Sequence, residues 1–241
     1  MAYREFRPRA ELTNLVACTW ERQVSPSDAS RTGRVLPDGC VDLIWRDDEL
    51  LVAGPDRGPV VTPLPSGQTI VGLRLRPGTA GWALGLPARE LRDERLRLEE
   101  VCGRPGSELT ERVAEAADKR SVLEDFVLRR LPSAGDLDPL VLAATGQLGL
   151  PGSRVGSLSS ALGTSERQLL RRFDAAVGYG PKTLDRILRF RRFLARAPVS
   201  GNDDLARIAA DLGYADQAHM TRECVRLSGL SPGRLVAAWA G

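Results

Sequence analysis

The last 85 residues of the chain carry one helical pattern twice, about 51 residues apart. In the first copy, the apolar, glycine and proline positions of the pattern are Leu158, Leu162, Gly163, Leu169, Phe173, Gly178 and Pro181. In the second copy, the equivalent positions are Ile208, Leu212, Gly213, Met220, Cys224, Gly229 and Pro232. Each copy predicts a helix, a glycine turn, a second helix and a Gly-x-x-Pro segment that starts a further helix. This is the outline of a helix-turn-helix, whose second helix enters the major groove of DNA.

The second helix of each copy carries signals for where it begins and which side it buries. Ser165 and Asp216 stand at the N-cap positions, where a side-chain oxygen accepts a hydrogen bond from a free amide of the first turn. Helical spacing then predicts one buried stripe along each helix. The stripes consist of Leu169, Phe173 and Ala176 in the first copy and of Met220, Cys224 and Leu227 in the second.

The sides of these helices that face away from the stripes carry residue types that read bases. Arginine can form two parallel hydrogen bonds to O6 and N7 of guanine, and glutamine can do the same for adenine. The predicted DNA-contacting residues are Arg167, Gln168, Leu170 and Arg171 in the first copy and Gln217, Ala218, Thr221 and Arg222 in the second. We therefore expect double-stranded DNA as the partner, with two neighbouring stretches of groove read by one chain.

Charge distinguishes the two copies. Residues 151–200 contain ten basic and three acidic residues, a net charge of +7, whereas residues 201–241 contain four basic and five acidic residues, a net charge of −1. Because phosphate neutralisation supplies most non-specific affinity, we expect the first copy to bind DNA more strongly than the second. Candidate phosphate contacts are Arg186, Arg189 and Arg192 on the helix that joins the copies, and His219 beside the second reading surface. The alternatives are solubilisation of the joining helix by its arginines and helix packing by His219.

Residues from about 137 to 240 resemble the DNA-binding domain of AraC/XylS-type bacterial transcription regulators. The matching text is LSSALGTSERQLLRRFDAAVGYGPKTLDRILRFRRFL followed by DLARIAADLGYADQAHMTRECVRLSGLSPGRL. The resemblance implies seven helices, with two helix-turn-helix units joined by a long helix at roughly Pro181–Arg196. It also implies base contacts at Arg167, Leu170, Arg171, Gln217, Ala218, Thr221 and Arg222. Cys224 departs from the family's usual large aromatic residue, and Met220 replaces another bulky apolar residue, so we expect a looser second core.

The first half of the chain has a different composition and pattern, with short runs rich in Val, Ile, Thr and Trp between prolines and glycines. Five segments read as strands. They are residues 15–24, 33–36, 40–45, 49–54 and 69–76. The sequences PDG at 37–39 and GPDRGP at 54–59 read as turns. Short strands at this density predict a small barrel or sandwich rather than a βαβ arrangement.

After the strand segments, apolar residues recur at the spacing of a helix. This change of pattern predicts the domain organisation. Short helices are predicted near 78–84 and from 87, and a longer helical stretch over 107–131 has an apolar stripe that packs on the barrel or pairs with its copy in a dimer. We expect a two-domain fold. It comprises a β-rich, cupin-like small barrel of α+β type over residues 1–106, a helical connector and linker over 107–136, and an all-α DNA-binding domain over 137–241.

The family resemblance also implies a role for the first half, because AraC-type regulators commonly place a cupin-like effector-binding or dimerising domain ahead of the DNA-binding domain. The ligand candidates are Trp20, Asp38, Asp42, Trp45, Arg74 and Arg76. Most have a plainer interpretation: the tryptophans as core, Asp38 as a turn residue, and the two arginines as a solvated strand face. We expect a small-molecule effector; the alternative is a first half that only forms a homodimer or contacts RNA polymerase.

Other classes of function lack the residues they need. The chain has one histidine and no phosphate-binding glycine loop, so we expect neither an enzyme nor a cofactor, and the acidic run 47–49 reads as a solvated turn. The widely spaced Cys18, Cys40, Cys102 and Cys224 predict buried, reduced thiols and no metal site, with a redox switch through Cys18 or Cys40 as the alternative. No apolar run approaches the roughly 20 residues that span a bilayer, and the first residues do not resemble a signal peptide. We therefore expect a cytoplasmic protein without a membrane partner.

Overall fold

The computed structural model describes residues 2–25, 32–64, 67–131, 137–153, 155–200 and 205–239. It has a β-rich N-terminal half followed by an all-α C-terminal half, as the sequence predicts. The strands described are β1 (Ala2–Phe6), β2 (Val16–Gln23), β3 (Thr32–Val35), β4 (Val41–Arg46), β5 (Glu49–Ala53), β6 (Val60–Pro63), β7 (Thr69–Leu75) and β8 (Arg95–Arg97). Six of them form an antiparallel sheet in the order β1-β2-β7-β4-β5-β8, and β3 pairs with β6 in a second sheet.

The two faces of the large sheet pack against different partners, because side chains alternate along each strand. Leu43 and Leu73 lie on the face that packs against helices, and both are fully buried. Trp20 and Ile70 lie on the other face, where they contact Leu64, the residue directly after β6. The small sheet therefore covers this second face, and the space between the two sheets is the interior of the small barrel that was predicted.

Four helices complete the N-terminal half. They are α1 (Ala80–Leu84), α2 (Leu98–Cys102), α3 (Arg104–Glu115) and α4 (Lys119–Leu128). Leu109 and Phe126, from α3 and α4, are buried in the same core as the large sheet. The helical conformation is interrupted between α3 and α4. The Asp118 side chain accepts a hydrogen bond from the Ser121 amide there and caps α4. The segment predicted as a connector thus packs on the sheet, which is one of the two options that its apolar stripe left open.

The C-terminal half contains the predicted pair of helix-turn-helix units. Its helices, within the described residues, are α5 (Pro139–Gly149), α6 (Leu158–Ala161), α7 (Glu166–Val177), α8 (Pro181–Ser200), α9 (Leu205–Asp211), α10 (Gln217–Ser228) and α11 (Pro232–Trp239). Helices α6 and α7 form the first unit, α9 and α10 form the second, and α8 joins them. One continuous core runs through all of them, with Phe173 in the first unit, Phe190 on α8 and Cys224 in the second unit fully buried.

The glycines shared by the two copies are required by the backbone. Gly163 and Gly213, in the turns, have φ of 62° and 76°, and Gly178 and Gly229, which end α7 and α10, have φ of 91° and 73°. These left-handed conformations are favourable for glycine and costly for residues with a Cβ atom. The repeat seen in the sequence is therefore a repeat of backbone turns as well as of buried side chains.

The two halves pack directly against each other. Leu36, directly after β3, lies in the hydrophobic core of the C-terminal half. A Cβ atom placed on Gly39 would lie 2.7 Å from Cδ1 of Leu184, so the predicted turn at 37–39 rests on α8. Helix α7 packs against α1 and against a single 3-10 turn at Ala88–Glu90. The N-terminal half therefore helps to position the helices that were predicted to read DNA.

Some local predictions differ from the structure. Strands β1, β6 and β8 were not predicted; β1 and β8 are the two edges of the large sheet, where a strand has one neighbour and can carry polar residues on both faces. The helix predicted from residue 87 is only the 3-10 turn at Ala88–Glu90. The acidic run, by contrast, contains the turn that was predicted: Asp47 and Asp48 have φ of 51° and 58°, the conformation that a two-residue hairpin loop needs, and Glu49 begins β5.

Candidate nucleic-acid interface

Helix α7 presents the first candidate reading surface. Its N-terminus forms a capping box, in which the Ser165 hydroxyl accepts from the Gln168 amide and Gln168 Oε1 accepts from the Ser165 amide, each at 3.3 Å. The oxygen of Gln168 is therefore engaged at the helix end rather than turned toward a base. Arg167 and Arg171 are exposed and make no hydrogen bond or ion pair to any residue that the structure describes. Leu170 is 54% exposed, which suits contact with a thymine methyl group.

Helix α10 begins with a different cap. The Asp216 carboxylate accepts a hydrogen bond from the His219 amide. The His219 ring folds back, so that Nδ1 accepts from the Ala215 amide at 3.3 Å and the ring lies edge-on to Tyr214 with centroids 5.5 Å apart. These contacts favour the packing interpretation of His219 over a phosphate contact.

The outward side of α10 carries the second candidate reading surface. Gln217, Ala218 and Arg222 are exposed, and Arg222 has no hydrogen bond or ion pair among the described residues. The hydroxyl of Thr221 donates to the Gln217 carbonyl at 2.9 Å, which leaves its methyl group and its acceptor lone pairs for other contacts. Arg222 occupies the position equivalent to Arg171, 51 residues later. Both reading surfaces therefore carry an arginine at the same position of the repeat.

Three arginines of the joining helix α8 bind groups within the protein. Arg186 donates to both carboxylate oxygens of Glu223 at 2.6 and 2.7 Å, which ties α8 to α10. Arg189 pairs with Asp185 one turn earlier. Arg192 donates to two carbonyl oxygens at the end of α5, at 2.6 and 3.1 Å. The structure therefore does not support these three arginines as phosphate contacts.

A groove of about 760 Å³ lies between α7 and the N-terminal half. Its cationic lining consists of Arg89, Arg130, Arg171 and Arg172. Trp82 and Leu86 contribute an apolar wall, and Asp138 contributes a carboxylate that lies 3.5 Å from Arg172. Burial lowers the pKa of Arg130, whose guanidinium stacks 3.9 Å from the centre of the Phe126 ring. The groove thus combines excess positive charge with an apolar surface.

The barrel interior holds four of the six ligand candidates as one ionic cluster. Arg74 Nε lies 3.1 Å from an oxygen of Asp42 and 3.2 Å from an oxygen of Asp38, and Trp20 Nε1 donates to Asp42 at 3.3 Å. Burial alone would lower the pKa of Arg74, but the two carboxylates outweigh burial and raise it. Burial raises the pKa of Asp42, and Arg74 offsets part of that rise. The arginine faces into the barrel, and its charge is already balanced there.

The other two ligand candidates lie elsewhere. Trp45 is buried on the opposite face of the sheet, with the ammonium group of Lys119 5.1 Å from its ring centre. Arg76 lies beyond the end of β7, is exposed, and donates to the Thr13 carbonyl at 2.8 Å. Trp45 therefore cannot share a ligand with the Arg74 cluster, and the guanidinium group of Arg76 is engaged by the Thr13 carbonyl.

The thiols of the barrel are poorly suited to a redox switch. Burial raises the pKa of Cys18 to about 11 and raises the pKa of Cys40 well above its usual value. The reactive form of cysteine is the thiolate, which is scarce at neutral pH for both residues. Their surroundings favour the interpretation as reduced structural thiols.

Two arginines of the N-terminal half, which the sequence did not single out, contact the ends of the candidate reading helices. Arg92 Nη1 donates to the Gly178 carbonyl at 2.9 Å and to Asp174 at 3.2 Å, at the end of α7. Arg34 Nη1 donates to the Ser228 carbonyl at 2.8 Å, at the end of α10. The Arg34 bond joins residues 194 positions apart, so no local pattern could have indicated it.

Comparison with known proteins finds a matching domain family for each half. Residues 4–97 match a domain of unknown function (DUF6597), and residues 158–238 match a helix-turn-helix domain family. An AraC-like transcription regulator of Streptomyces antibioticus is 35% identical over 104 residues, which cover 42% of this chain and 34% of that protein. The chain thus matches about a third of that relative's length.

Among solved structures, ToxT of Vibrio cholerae aligns over 100% of both chains with a TM-score of 0.46 and 11% identity. Wild-type ToxT with an unsaturated fatty acid bound aligns over 90% of this chain and 93% of that chain, with a TM-score of 0.39 and 13% identity. No helix among the described residues is long and apolar enough to cross a membrane. The resemblance found in the sequence is confirmed: the C-terminal half contains a helix-turn-helix domain and is similar to part of an AraC-like regulator.

Proposed function

We propose that the protein regulates transcription by binding double-stranded DNA with both units at once, α7 reading one major-groove segment and α10 reading the next. The observation that carries this proposal is the pair Arg171 and Arg222. They occupy equivalent positions, both are exposed, and neither has an internal partner among the described residues. A guanidinium group held in this way is free to form two hydrogen bonds with a guanine edge.

A selection experiment tests this function directly. The full chain is used to recover bound duplexes from a random pool, and we expect two short conserved blocks with centres about 10–10.5 base pairs apart, one helical turn. In repeat selections, Arg171→Ala should relax one block and Arg222→Ala the other. Arg104→Ala is the matched control, because that exposed arginine lies on α3, where it pairs with Glu108. A pool with a single block, or with none, would contradict reading by both units.

We further propose that the regulator responds to a small anionic effector with an apolar body, bound in the groove beside α7. Four arginines face one carboxylate there, and Trp82 can pack against an apolar group. The Arg74 cluster is a weaker candidate, since its guanidinium is already paired with carboxylates. Because Arg171 belongs both to the groove and to the proposed reading surface, an anion in the groove would compete with DNA.

The effector proposal predicts a dependence on charge. The probe 4-phenylbutyrate should raise the melting temperature and weaken DNA binding, whereas the neutral alcohol 4-phenylbutanol should do neither, because a ligand stabilises the state that it binds. Metabolite extracts separated by charge should carry the same activity in the anionic fraction, and Arg130→Gln should reduce both responses. No response to the probe or to any extract would favour the alternative, an N-terminal half that only forms a homodimer or contacts RNA polymerase.

A further inference from the structure

The sequence GPDRGP, residues Gly54–Pro59, lies between the ends of the two reading helices. A Cβ atom on Gly178, which ends α7, would lie 2.6 Å from Cγ of Pro55. A Cβ atom on Gly229, which ends α10, would lie 4.0 Å from Cγ of Pro59. One short segment of the N-terminal half therefore approaches α7 at one end and α10 at the other. We call Gly54–Pro59 the spacer segment.

The spacer segment is held rigidly on the N-terminal half. The Gly54 amide donates to the Glu94 carbonyl at 3.1 Å, and a Cβ atom on Gly54 would collide with the carbonyl oxygen of Leu91. Asp56 is buried and accepts two hydrogen bonds from Arg95, at 2.9 and 2.6 Å. The two prolines also restrict their own backbone dihedral angles. The segment therefore has little freedom to change its length.

An arginine stands beside each end of the spacer segment and binds the helix that it meets. Arg92 donates to the carbonyl of Gly178, the residue directly after α7, and Arg34 donates to the carbonyl of Ser228, the last residue of α10. The two acceptors lie one residue apart in the aligned repeat, Gly178 being equivalent to Gly229. Helix C-termini carry partial negative charge, so guanidinium groups there are favourable. The C-terminal end of each reading helix therefore accepts a hydrogen bond from an arginine of the N-terminal half.

We propose that Arg34, Arg92 and the spacer segment set the distance and angle between α7 and α10, and so make DNA binding depend on the spacing of the two half-sites. The inference rests on the proposed function, because it assumes that both helices read DNA. Arg34 and Arg92 are positioning residues: they lie at the ends of the helices opposite the N-terminal turns, and they act through the orientation of the helices. Helix α8 joins the two units within the helical half, and the spacer segment with its two arginines adds a second connection between them.

The test uses insertions between the two blocks of the selected site. One inserted base pair moves a half-site by about 3.4 Å and rotates it by about 36°. We expect the insertion to weaken wild-type binding by at least about tenfold, as the loss of base contacts in one block would. In the double variant Arg34→Ala with Arg92→Ala, we expect weaker binding to the unmodified site and a penalty for the insertion of about threefold or less, because the helices can then adjust.

Matched variants separate positioning from general destabilisation. Arg104→Ala should keep the wild-type insertion penalty, and melting temperatures should show which variants are folded. If the double variant does not fold, the insertion penalty of the single variant Arg34→Ala is the test. Arg34 is exposed, so its replacement should not prevent folding. A folded variant with an unchanged insertion penalty, or a wild-type protein that tolerates the insertion, would overturn the inference. A wild-type protein that selects no two-block site would instead overturn the proposed function.

Discussion

The two helix-turn-helix units share their buried positions but differ in what fills and supports them. In the first unit, Phe173 fills the core, and α7 packs against α1 and the 3-10 turn at Ala88–Glu90. In the second unit, Met220 and Cys224 fill the equivalent core. Both cores are fully closed, yet thioether and thiol groups fix the geometry of a core less firmly than an aromatic ring does. Duplication preserved the spacing of the buried residues, and the support around them diverged.

Charge separates the two units less than the sequence suggests. Five arginines of α7 and α8 bind carboxylates or carbonyl groups within the domain: Arg172, Arg186, Arg189, Arg192 and Arg196. Those without a hydrogen bond or ion pair among the described residues are Arg167, Arg171, Lys182 and Arg191 before residue 201, and Arg222, Arg226 and Arg234 after it. The net charges of +7 and −1 therefore translate into nearly equal numbers of free cations. The remaining contrast is on the reading surfaces, two arginines against one.

The largest expected effect concerns the two cores. Phe173→Ala should lower the free energy of unfolding by about 3–5 kcal/mol, because it leaves a large cavity, whereas Cys224→Ala should lower it by about 1–2 kcal/mol. Urea unfolding measures both. Val225→Ala, at a 47% exposed position of α10, serves as the control and should change stability by less than about 0.5 kcal/mol. Equal losses at the two core positions would remove the contrast in packing.

Arg171→Ala comes next. It should weaken binding to a selected site by about 1–3 kcal/mol and relax preference at one base, since a bidentate contact with guanine is lost. Titration of a labelled duplex, with each base of the block varied in turn, measures both effects. Unchanged affinity and unchanged preference would show that Arg171 does not face the bases and that α7 lies on DNA in a different register.

Arg222→Ala should have a smaller effect, below about 1 kcal/mol, if the second unit is the weaker reader. Its segment carries a net charge of −1, and its core positions α10 less firmly. The same titration applies, and Arg226→Ala, on the same helix but outside the predicted reading set, is the control. Losses as large as those from Arg171→Ala would refute unequal reading and would agree instead with the similar numbers of free cations in the two units.

The smallest effect is a pH dependence in the second unit. Burial alone would raise the pKa of Glu223, but the hydrogen bonds and charge of Arg186 outweigh burial and lower it. A lowered pKa contributes stability that is present above the ordinary glutamate value of about 4.3 and is lost as the pH falls through the lowered value. The stability advantage of wild type over Glu223→Gln, about 1 kcal/mol or less at neutral pH, should therefore shrink below about pH 4.3. Glu108→Gln, in an exposed pair on α3, is the control variant.

The sequence predicts the features that depend on local spacing. The caps at Ser165 and Asp216, the buried stripes of α7 and α10 and the repeated glycine turns all follow from residues within one or two helical turns of each other. One stripe position differs: in α7 the buried residue is Val177, and the predicted Ala176 is only partly buried. The contacts of Arg34 and Arg192 do not, because each joins elements far apart in the chain. The fold of the N-terminal half was predicted in outline, but its polar edge strands carry no periodic signal.

Leu36 has a consequence for how the molecule folds. Its chain position belongs to the barrel, but its side chain is part of the core of the helical half, and the turn that follows it rests on Leu184. Melting either half would expose apolar surface of the other, so the two should unfold in one cooperative transition rather than two. A fragment cut at residue 137 would have an unfilled site where Leu36 packs. The sequence pattern changes between the two halves, but the two halves should unfold as one cooperative unit.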